Sequence, residues 1–326
     1  MSTDALVAFL LRAGLDPLPK LSLLGSTGNN RVFTVHSPGQ ILLLKEYSQH
    51  PSDPRDRFNS ERIFYARLQR TGVSRIPKSL FWCGDTRLGL FEFLEGSKPE
   101  SAVADLVQQA LDFLFEINSR PSDLDAQIPP ASEACFTVED HLSCVQRRID
   151  RLREIPAKTE YHEQALRFCQ TKLFPRWEIL KANLLSAPLV REHVSDKWLS
   201  PSDFGFHNSI MDRHGIVRFF DFEYAGWDGP LKTVCDFFCQ PAVPVSATLL
   251  PAFADAIESR LHRFGFSDNV QRLLPVYEVK WCCILLNDFL PAGEYRRSFS
   301  NPNVNWDERL AQQIHKCHTF FDTRLR

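Results

Sequence analysis

Three features that would assign the sequence to a common functional class are missing. No apolar run comes close to the roughly 20 residues that span a bilayer, and no basic segment precedes the short apolar stretch Leu6–Leu11. Lysine and arginine form no dense block, and the formal net charge of the 326 residues is −2, which argues against nucleic-acid binding. We therefore expect a cytoplasmic protein that binds neither membrane nor nucleic acid. The sequence leaves its oligomeric state open.

Cysteine motifs that bind metal or form disulfide frameworks are also missing. None of the nine cysteines has C-x-x-C spacing. Cys83, Cys169, Cys235 and Cys282 lie in apolar surroundings, so we expect small buried side chains of a cytosolic protein. With 44% hydrophobic residues the chain can bury a large core, and its length favours two domains or lobes.

One spacing of polar residues is informative: Asp203, Asn208 five positions later, and Asp221 at the end of an apolar run. Between the last two, the apolar runs Ser209–Met211 and Ile216–Phe220 flank a strong turn sequence, which predicts a hairpin. Such a hairpin would bring Asn208 and Asp221 to one ion. Aspartate and asparagine also occur in ordinary loops, where they cap and turn the backbone.

These residue types suit phosphoryl transfer. An aspartate such as Asp203 orients the acceptor hydroxyl and takes its proton, while the Asn208 amide and the Asp221 carboxylate hold a metal ion that joins the nucleotide phosphates. The hairpin and the carboxylate at its end make the functional interpretation stronger than the loop interpretation.

The same segment resembles the aminoglycoside phosphotransferase and choline kinase superfamily, whose usual form is H-G-D-x-x-x-x-N followed by a metal segment like I-D-F/W-E. The resemblance implies a two-lobed, protein-kinase-like α+β fold, ATP as cosubstrate and Mg²⁺. It makes Asp203 the catalytic base and Asn208 and Asp221 the metal ligands. One departure concerns the histidine two positions before the base, because Pro201 stands there, followed by Ser202. That change affects the geometry of the loop more than its chemistry.

Nucleotide binding needs a loop that covers the phosphates. Gly25, Ser26, Gly28 and Asn30 lie in a small, polar stretch between apolar segments, where backbone N–H groups can approach phosphates. An ordinary hairpin turn is the alternative.

A kinase also needs a lysine on a strand and a carboxylate that holds it. Lys45 ends an apolar run of strand length, and Glu61 lies in a segment with helical character. We expect these two residues to pair, because Glu46, next to Lys45, faces the other side of the strand. The alternative is an exposed lysine that protects an edge strand.

Phe91–Gly96 resembles the segment that joins the two lobes in this superfamily. The resemblance implies that the backbone of Glu92, Phe93 and Leu94 meets the adenine edge. This segment follows a second hairpin pattern, in which Leu80–Cys83 and Leu88–Leu94 flank a turn. A buried strand followed by a turn is an equally good description of these residues.

The apolar periodicity changes from strand-like to helical after Gly96. Apolar residues repeat every three and four positions over Val103–Ile117 and Leu142–Leu152, and Thr137–Asp140 is typical of a helix start. We therefore predict a nucleotide-binding lobe over 1–96 and a mostly helical lobe over 97–326 that holds the catalytic loop and the acceptor site.

Three carboxylates follow the metal segment. Glu223 would contact a second metal ion or the substrate, or would be an exposed structural carboxylate. For Asp228 and Asp236 we expect that the side chains accept backbone N–H groups and take no part in the reaction.

Acceptor contacts are predicted further along the chain. Val279–Phe289 is mostly apolar and predicts one buried helix, in which Lys280 and Asp288 lie close to one face. With Arg296 and Arg297 these side chains would line the acceptor cleft; the alternative is that they cap, pair or reach solvent. The charges suit a neutral or anionic polyol better than a polycationic antibiotic.

The first functional hypothesis is an ATP-dependent kinase that phosphorylates a hydroxyl of a sugar-like or polyol acceptor. A choline or ethanolamine kinase is the alternative within the superfamily. The alternative from another functional class is a kinase-like binding or scaffolding protein that holds nucleotide without efficient transfer, because of the irregular glycine segment and Pro201.

Overall fold

The computed structural model describes residues 3–16, 19–27, 30–48, 55–186, 196–300 and 304–325. The chain forms two compact units. The sheet unit comprises Met1–Glu100, Gln109–Ser132 and Pro201–Gly226, and the helical unit comprises Ser101–Gln108, Glu133–Ser200 and Trp227–Arg326. Asp203, Asn208 and Asp221 thus belong to the same unit as Lys45 and Glu61. The predicted boundary between lobes at Gly96 stays a prediction.

An antiparallel sheet of five strands forms the amino-terminal part of the sheet unit. Its strands, β1 (Lys20–Thr27), β2 (Asn30–Ser37), β3 (Gln40–Tyr47), β4 (Ser79–Cys83) and β5 (Leu88–Glu92), lie in the order β1-β2-β3-β5-β4. The hairpin predicted around Gly84–Arg87 is β4 and β5. Strand β3 is central, so Lys45 is not a lysine on an edge strand.

Two helices pack with this sheet, α1 (Thr3–Arg12) and α2 (Arg57–Arg70). One face of β3 contributes Leu42 and Leu44 to a core that also contains Phe9 and Leu10 of α1. Side chains on a strand alternate between its two faces, so Lys45 points to the opposite face from Leu44. Helix α2 begins where Asp56 accepts the backbone N–H of Asn59, a local N-cap.

The segment between Asn208 and Asp221 folds into a short hairpin, as predicted. After β6 (Trp198–Ser200), strands β7 (Ser209–Met211) and β8 (Val217–Phe219) pair antiparallel. Asp212 Oδ1 accepts the backbone N–H groups of His214 and Ile216 in the turn, where Gly215 has a φ of 76°. A short strand β9 (Gly226–Asp228) follows.

The remaining described elements are helical, which confirms the α+β class: α3 (Ala104–Ile117), α4 (Val138–Leu152), α5 (Glu160–Phe168), α6 (Phe174–Ser186), α7 (Pro230–Cys239), α8 (Leu250–Leu261), α9 (Phe266–Leu285), α10 (Pro291–Ser300) and α11 (Trp306–Arg324). Helix α4 starts as predicted, with a reciprocal capping box between Thr137 and Asp140. All nine cysteines are buried free thiols, among them Cys83, Cys169, Cys235 and Cys282, for which burial was expected. No helix within the described ranges combines the length and the apolar character needed to cross a membrane.

The helix predicted over Val279–Phe289 ends earlier than expected. Helix α9 stops at Leu285, and a separate 3₁₀ turn covers Asn287–Phe289. Pro291 disfavours helical backbone at the residue before it, and Leu290 accordingly has an extended conformation. One continuous helical face from Lys280 to Asp288 therefore does not exist.

Candidate active site

The loop that carries Asp203 begins with a tight turn. The Asp203 N–H donates to the Pro201 carbonyl at 2.9 Å, across Ser202 with a φ of 66°. A three-residue turn with a positive φ at a residue other than glycine is strained, and such strain is concentrated at functional sites. The Ser202 hydroxyl also donates to the carbonyl of Ser132 at 3.4 Å. Pro201 thus shapes the loop through its backbone.

Two following residues hold the Asp203 carboxylate. His207 Nε2 lies 3.2 Å from Asp203 Oδ1, and Asn208 Nδ2 donates to the Asp203 carbonyl at 3.0 Å and lies 3.4 Å from Oδ2. About 40% of the Asp203 side chain is exposed, so its carboxylate can be reached by an acceptor. Sequence reasoning did not select His207. The position of His207 directly before Asn208 was the only sequence feature that could have pointed to it.

Aromatic packing anchors the loop that carries Asp203. Phe204 and Phe206 alternate with the polar loop residues and are buried. Phe204 packs on Phe113 and Phe219, with ring centroids 5.9 and 4.9 Å apart, and Phe113 stacks on Phe219 at 4.7 Å. Such pairs add stability beyond the buried area. The loop is therefore fixed to both α3 and the hairpin.

The hairpin is bonded to the segment after β5. Ser97 and Met211 exchange backbone hydrogen bonds of 3.1 and 2.9 Å. A Cβ on Gly96, where φ is 146°, would lie 2.2 Å from the Met211 carbonyl oxygen. Only glycine allows this approach without a backbone shift. The Phe220 N–H also donates to the Asn208 carbonyl at 3.1 Å, which places Asn208 and Asp221 on neighbouring backbone.

Lys45 forms the predicted ion pair with Glu61, with 2.6 Å between Nζ and Oε2. Its ammonium also donates to Asp221 Oδ1 and lies 3.8 Å from Glu223 Oε2. Both Lys45 and Glu61 are buried. Glu46, the rejected alternative, pairs with Arg31 instead.

In this cluster, burial and neighbouring charges have opposite effects on the pKa values of Lys45 and Glu61. Burial lowers the pKa of the Lys45 ammonium, but the surrounding carboxylates, Asp221 first, raise it by more, so its pKa lies above the ordinary lysine value. Burial raises the pKa of the Glu61 carboxyl, which Lys45 opposes. Glu61 Oε1 also accepts the Phe222 N–H at 2.9 Å, so α2 is bonded to the residue after Asp221.

The donor set suits a hard divalent cation. Oxygens of Glu61, Asp221 and Glu223 lie within 4.8 Å of one another. Because Asn208 Nδ2 is used on Asp203, its amide oxygen is the atom left for a cation. Mg²⁺ prefers carboxylate and amide oxygens and usually takes only one or two protein ligands. Asp221, one of the two predicted ligands, belongs to this cluster and has a φ of 66°. Joint binding of Mg²⁺ by Asn208 and Asp221 stays a prediction.

Glu223 differs from the expectation of an exposed carboxylate. It is buried, accepts a hydrogen bond from Asn30 Nδ2, and lies 3.9 Å from Arg57 Nε. The reason is that Arg57, at the start of α2, and Lys45 balance its charge, a contact that sequence spacing does not reveal. Asn30, predicted to bind nucleotide, is itself fully buried on this carboxylate.

The other predicted nucleotide contacts are backbone segments. Gly25 and Ser26 lie in β1, and Gly28 lies outside the described residues. Glu92 ends β5, and its carboxylate accepts the Lys78 N–H at 3.1 Å; Phe93 and Leu94 follow the strand. Contact of these residues with nucleotide stays a prediction.

The helical unit corrects the predicted role of Lys280. Its ammonium is buried and donates to both oxygens of Asp236, at 2.9 and 2.7 Å, and Trp281 Nε1 donates to Asp236 at 3.0 Å. Asp236 was expected to accept backbone N–H groups, but these contacts come from side chains. The expectation is met by Asp228, which accepts the N–H groups of Cys135 and Gly229 at 2.9 Å and Lys232 Nζ at 2.6 Å.

Asp288 is likewise paired, in agreement with the alternative interpretation. It accepts hydrogen bonds from Arg297 at 3.3 Å, Arg309 at 2.7 Å and Gln313 at 3.1 Å. The Arg296 side chain lies outside what the structure describes. These contacts make Asp288 and Arg297 structural partners of one another.

No protein-family model matches the sequence, and no curated protein matches it. Solved structures match almost the whole chain. A choline kinase from Cryptosporidium parvum Iowa II is 11% identical, with 98% of this chain and 97% of that chain covered and a TM-score of 0.59. An ethanolamine kinase from Plasmodium vivax is 13% identical, with 99% and 91% covered and a TM-score of 0.58.

A third match is a spectinomycin phosphotransferase, in complex with ADP and spectinomycin. It is 10% identical, with 98% of each chain covered and a TM-score of 0.60. Identities this low establish the fold and leave the substrate open. The chain therefore has the protein-kinase-like α+β fold of the aminoglycoside phosphotransferase and choline kinase superfamily, as the sequence motif implied.

Proposed function

We propose that the protein is an ATP-dependent kinase that transfers the γ-phosphoryl group to a hydroxyl of a small molecule. The observation that carries this proposal is the arrangement within the sheet unit. Asp203 has a partly exposed carboxylate and a backbone carbonyl bonded by Asn208, and it lies on the same folded unit as the Lys45–Glu61 ion pair and Asp221. The solved structures with the same fold support it, since those named above are small-molecule kinases.

In this mechanism Asp203 accepts a hydrogen bond from the acceptor hydroxyl and takes its proton as the hydroxyl oxygen bonds to the γ-phosphorus of ATP. The bond from that phosphorus to the oxygen bridging the β-phosphate breaks, and ADP leaves. Lys45, held by Glu61, contributes positive charge beside the nucleotide phosphates. Asn208 Oδ1 and Asp221 would hold Mg²⁺, which neutralises phosphate charge when it is bound. The aromatic packing beneath Phe204 and Phe206 keeps the base in one place, because positioning supplies much of the rate in phosphoryl transfer.

For the acceptor we propose an uncharged sugar-like or polyol compound. The sequence argument for an anionic group relied on Lys280 and two arginines, but Lys280 is neutralised by Asp236 and Arg297 contacts Asp288. A choline or ethanolamine acceptor is the alternative supported by the two kinases of that kind with this fold.

The test is ATP consumption against a panel of sugars, polyols, choline, ethanolamine and aminoglycosides, with phosphorylated product identified by mass. Asp203→Asn is the matched control, since it removes the base and keeps the size of the side chain. Product formed by wild type and lost in the variant supports the proposal. ATP binding with no transfer to any panel member or to water would instead favour a nucleotide-binding protein.

The proposed metal role has its own test. Asp221→Ala should abolish magnesium-dependent binding of ATP, measured by calorimetry with and without Mg²⁺, because a carboxylate ligand is lost. Equal magnesium dependence in the variant and wild type would refute the role of Asp221.

A further inference from the structure

We propose that His207 is a positioning residue that holds the Asp203 carboxylate for proton transfer. This inference rests on the proposed kinase function. Its basis is the 3.2 Å contact between His207 Nε2 and Asp203 Oδ1. Pro201 occupies the position where the motif predicts a histidine. In this chain the histidine that contacts Asp203 is His207, four residues after Asp203.

The surroundings of the ring determine which nitrogen carries the proton. His207 Nδ1 is buried and has no hydrogen-bond partner among the described residues. If the proton were on Nδ1, a buried N–H would be unpaired and the Nε2 lone pair would face a carboxylate lone pair, which is repulsive. A proton on Nε2 makes a charge-assisted hydrogen bond to Asp203. The neutral ring therefore carries its proton on Nε2.

The backbone on both sides of His207 is fixed. Phe206 is fully buried, and the carbonyl of Phe206 accepts the Ser209 hydroxyl at 3.0 Å. On the other side the Asn208 N–H donates to the Gly205 carbonyl at 3.1 Å. The imidazole is thus carried by a rigid turn, with about 20% of the side chain exposed. A ring held in this way can restrict the carboxylate that it contacts.

This restriction matters because a carboxylate rotates easily about its last bond. His207 contacts Oδ1 at 3.2 Å, and the weaker contact of Asn208 Nδ2 with Oδ2 is 3.4 Å long. Together they limit the rotation of the Asp203 carboxylate, and a lone pair of Oδ2 stays available to the acceptor hydroxyl. Misplacement of a catalytic group by about 1 Å costs on the order of 10²-fold in rate. His207 would act through Asp203 and would not touch the substrate.

Glutamine and asparagine variants separate positioning from general stability. The amide nitrogen of glutamine reaches about as far as Nε2 of histidine, whereas that of asparagine corresponds to Nδ1. We expect His207→Asn and His207→Ala to lower kcat by roughly 10- to 100-fold with an unchanged KM for ATP. His207→Gln should keep kcat within about threefold of wild type. His214→Ala, an exposed histidine in the hairpin turn, is the control and should have no effect.

These rates are measured with the panel acceptor that wild type phosphorylates, and with water as acceptor in the slow hydrolysis of ATP. Equal kcat for the glutamine and asparagine variants would overturn the proposal. So would an alanine variant with native kcat, or one whose loss is in KM for ATP alone.

A measurement without turnover separates this proposal from the kinase function. In ¹⁵N-histidine spectra at about pH 8.5 the His207 ring, assigned by its absence in His207→Gln, should show a proton on Nε2. Asp203→Ala should change that N–H resonance, while the His214 signals stay unchanged. A proton on Nδ1, or no response to Asp203→Ala, would refute the contact even if the protein is an active kinase. A confirmed contact in a protein without any phosphoryl transfer would refute the kinase function and the positioning role with it.

Discussion

Removing the charge of Lys45 is the most direct test of how the proposed nucleotide site is held together. The Lys45 ammonium lies 2.6 Å from Glu61 with both side chains buried, and it also contacts Asp221. At an effective dielectric constant of about 20, the attraction to Glu61 alone is about 6 kcal/mol before the cost of burying the charges. Removing one member of a buried pair typically costs about 3–5 kcal/mol. We expect that loss of unfolding free energy for Lys45→Met.

The assay is urea unfolding at about pH 8 for wild type, Lys45→Met, Glu61→Gln and the variant that carries both substitutions. Lys45→Met leaves the carboxylates of Glu61 and Asp221 without their cation. Adding Glu61→Gln to Lys45→Met should therefore recover part of the loss, with a coupling energy on the order of 2 kcal/mol. Arg31→Met is the control, because it breaks an ion pair with Glu46 on the same sheet, where 38% of the arginine side chain is exposed. That loss should stay below about 1 kcal/mol.

The pH dependence gives a second readout. Burial raises the pKa of Glu61, and in Lys45→Met no ammonium opposes this. In the folded variant Glu61 therefore keeps its proton at pH values above the ordinary glutamate pKa of about 4.3. In the unfolded chain the same carboxyl has released its proton at these pH values. Wild type also gains stability as the pH falls from 8 to 6, because its Glu61 pKa is raised to about 7. The variant should gain more, since no ammonium lowers the pKa of its Glu61, so its deficit relative to wild type should shrink. A loss no larger than that of Arg31→Met, or a deficit that is the same at both pH values, would refute this description of the cluster.

Three further predictions follow from single residues. Asp203→Asn should lower turnover by about 10²- to 10⁴-fold with little change in the Kd of ATP, and near-native turnover on the true acceptor would refute the assignment of the base. Gly96→Ala should cost about 1–3 kcal/mol in urea unfolding because its Cβ meets the Met211 carbonyl, whereas Gly84→Ala, with open space around the Cβ, should be nearly neutral. Burial raises the pKa of Glu278 to about 7 from 4.5, so the folded state holds a proton that the unfolded state loses in this window. Stability should therefore fall as the pH rises from 4.5 to 7, and a slope unchanged in Glu278→Gln would contradict this.

Sequence patterns were sufficient where the interaction is local. The hairpin between Asn208 and Asp221 was predicted because two apolar runs flank a turn, and the structure has strands at Ser209–Met211 and Val217–Phe219. Lys45 was predicted on a strand because an apolar run precedes it, and its pairing with Glu61 followed from the order of elements expected in a kinase.

The partners of buried charges were not predictable in the same way. Lys280 pairs with Asp236, 44 positions away, and Glu223 accepts from Asn30, 193 positions away. Periodicity tells which face of an element a residue occupies, but not which distant element covers that face. For this reason an exposed Glu223 was favoured, and the sequence left open whether Lys280 lines an acceptor cleft or is paired.

The sequence by itself determined the α+β class, the hairpin with its three polar residues, and the strand that carries Lys45, because turns, caps and apolar periodicity act over a few positions. Only the tertiary structure decided which charges neutralise each other and that His207 faces Asp203. A histidine four positions after an aspartate in an irregular loop has no fixed direction. Its direction comes from the packing of Phe204 and Phe206 on Phe219, which only the complete fold provides.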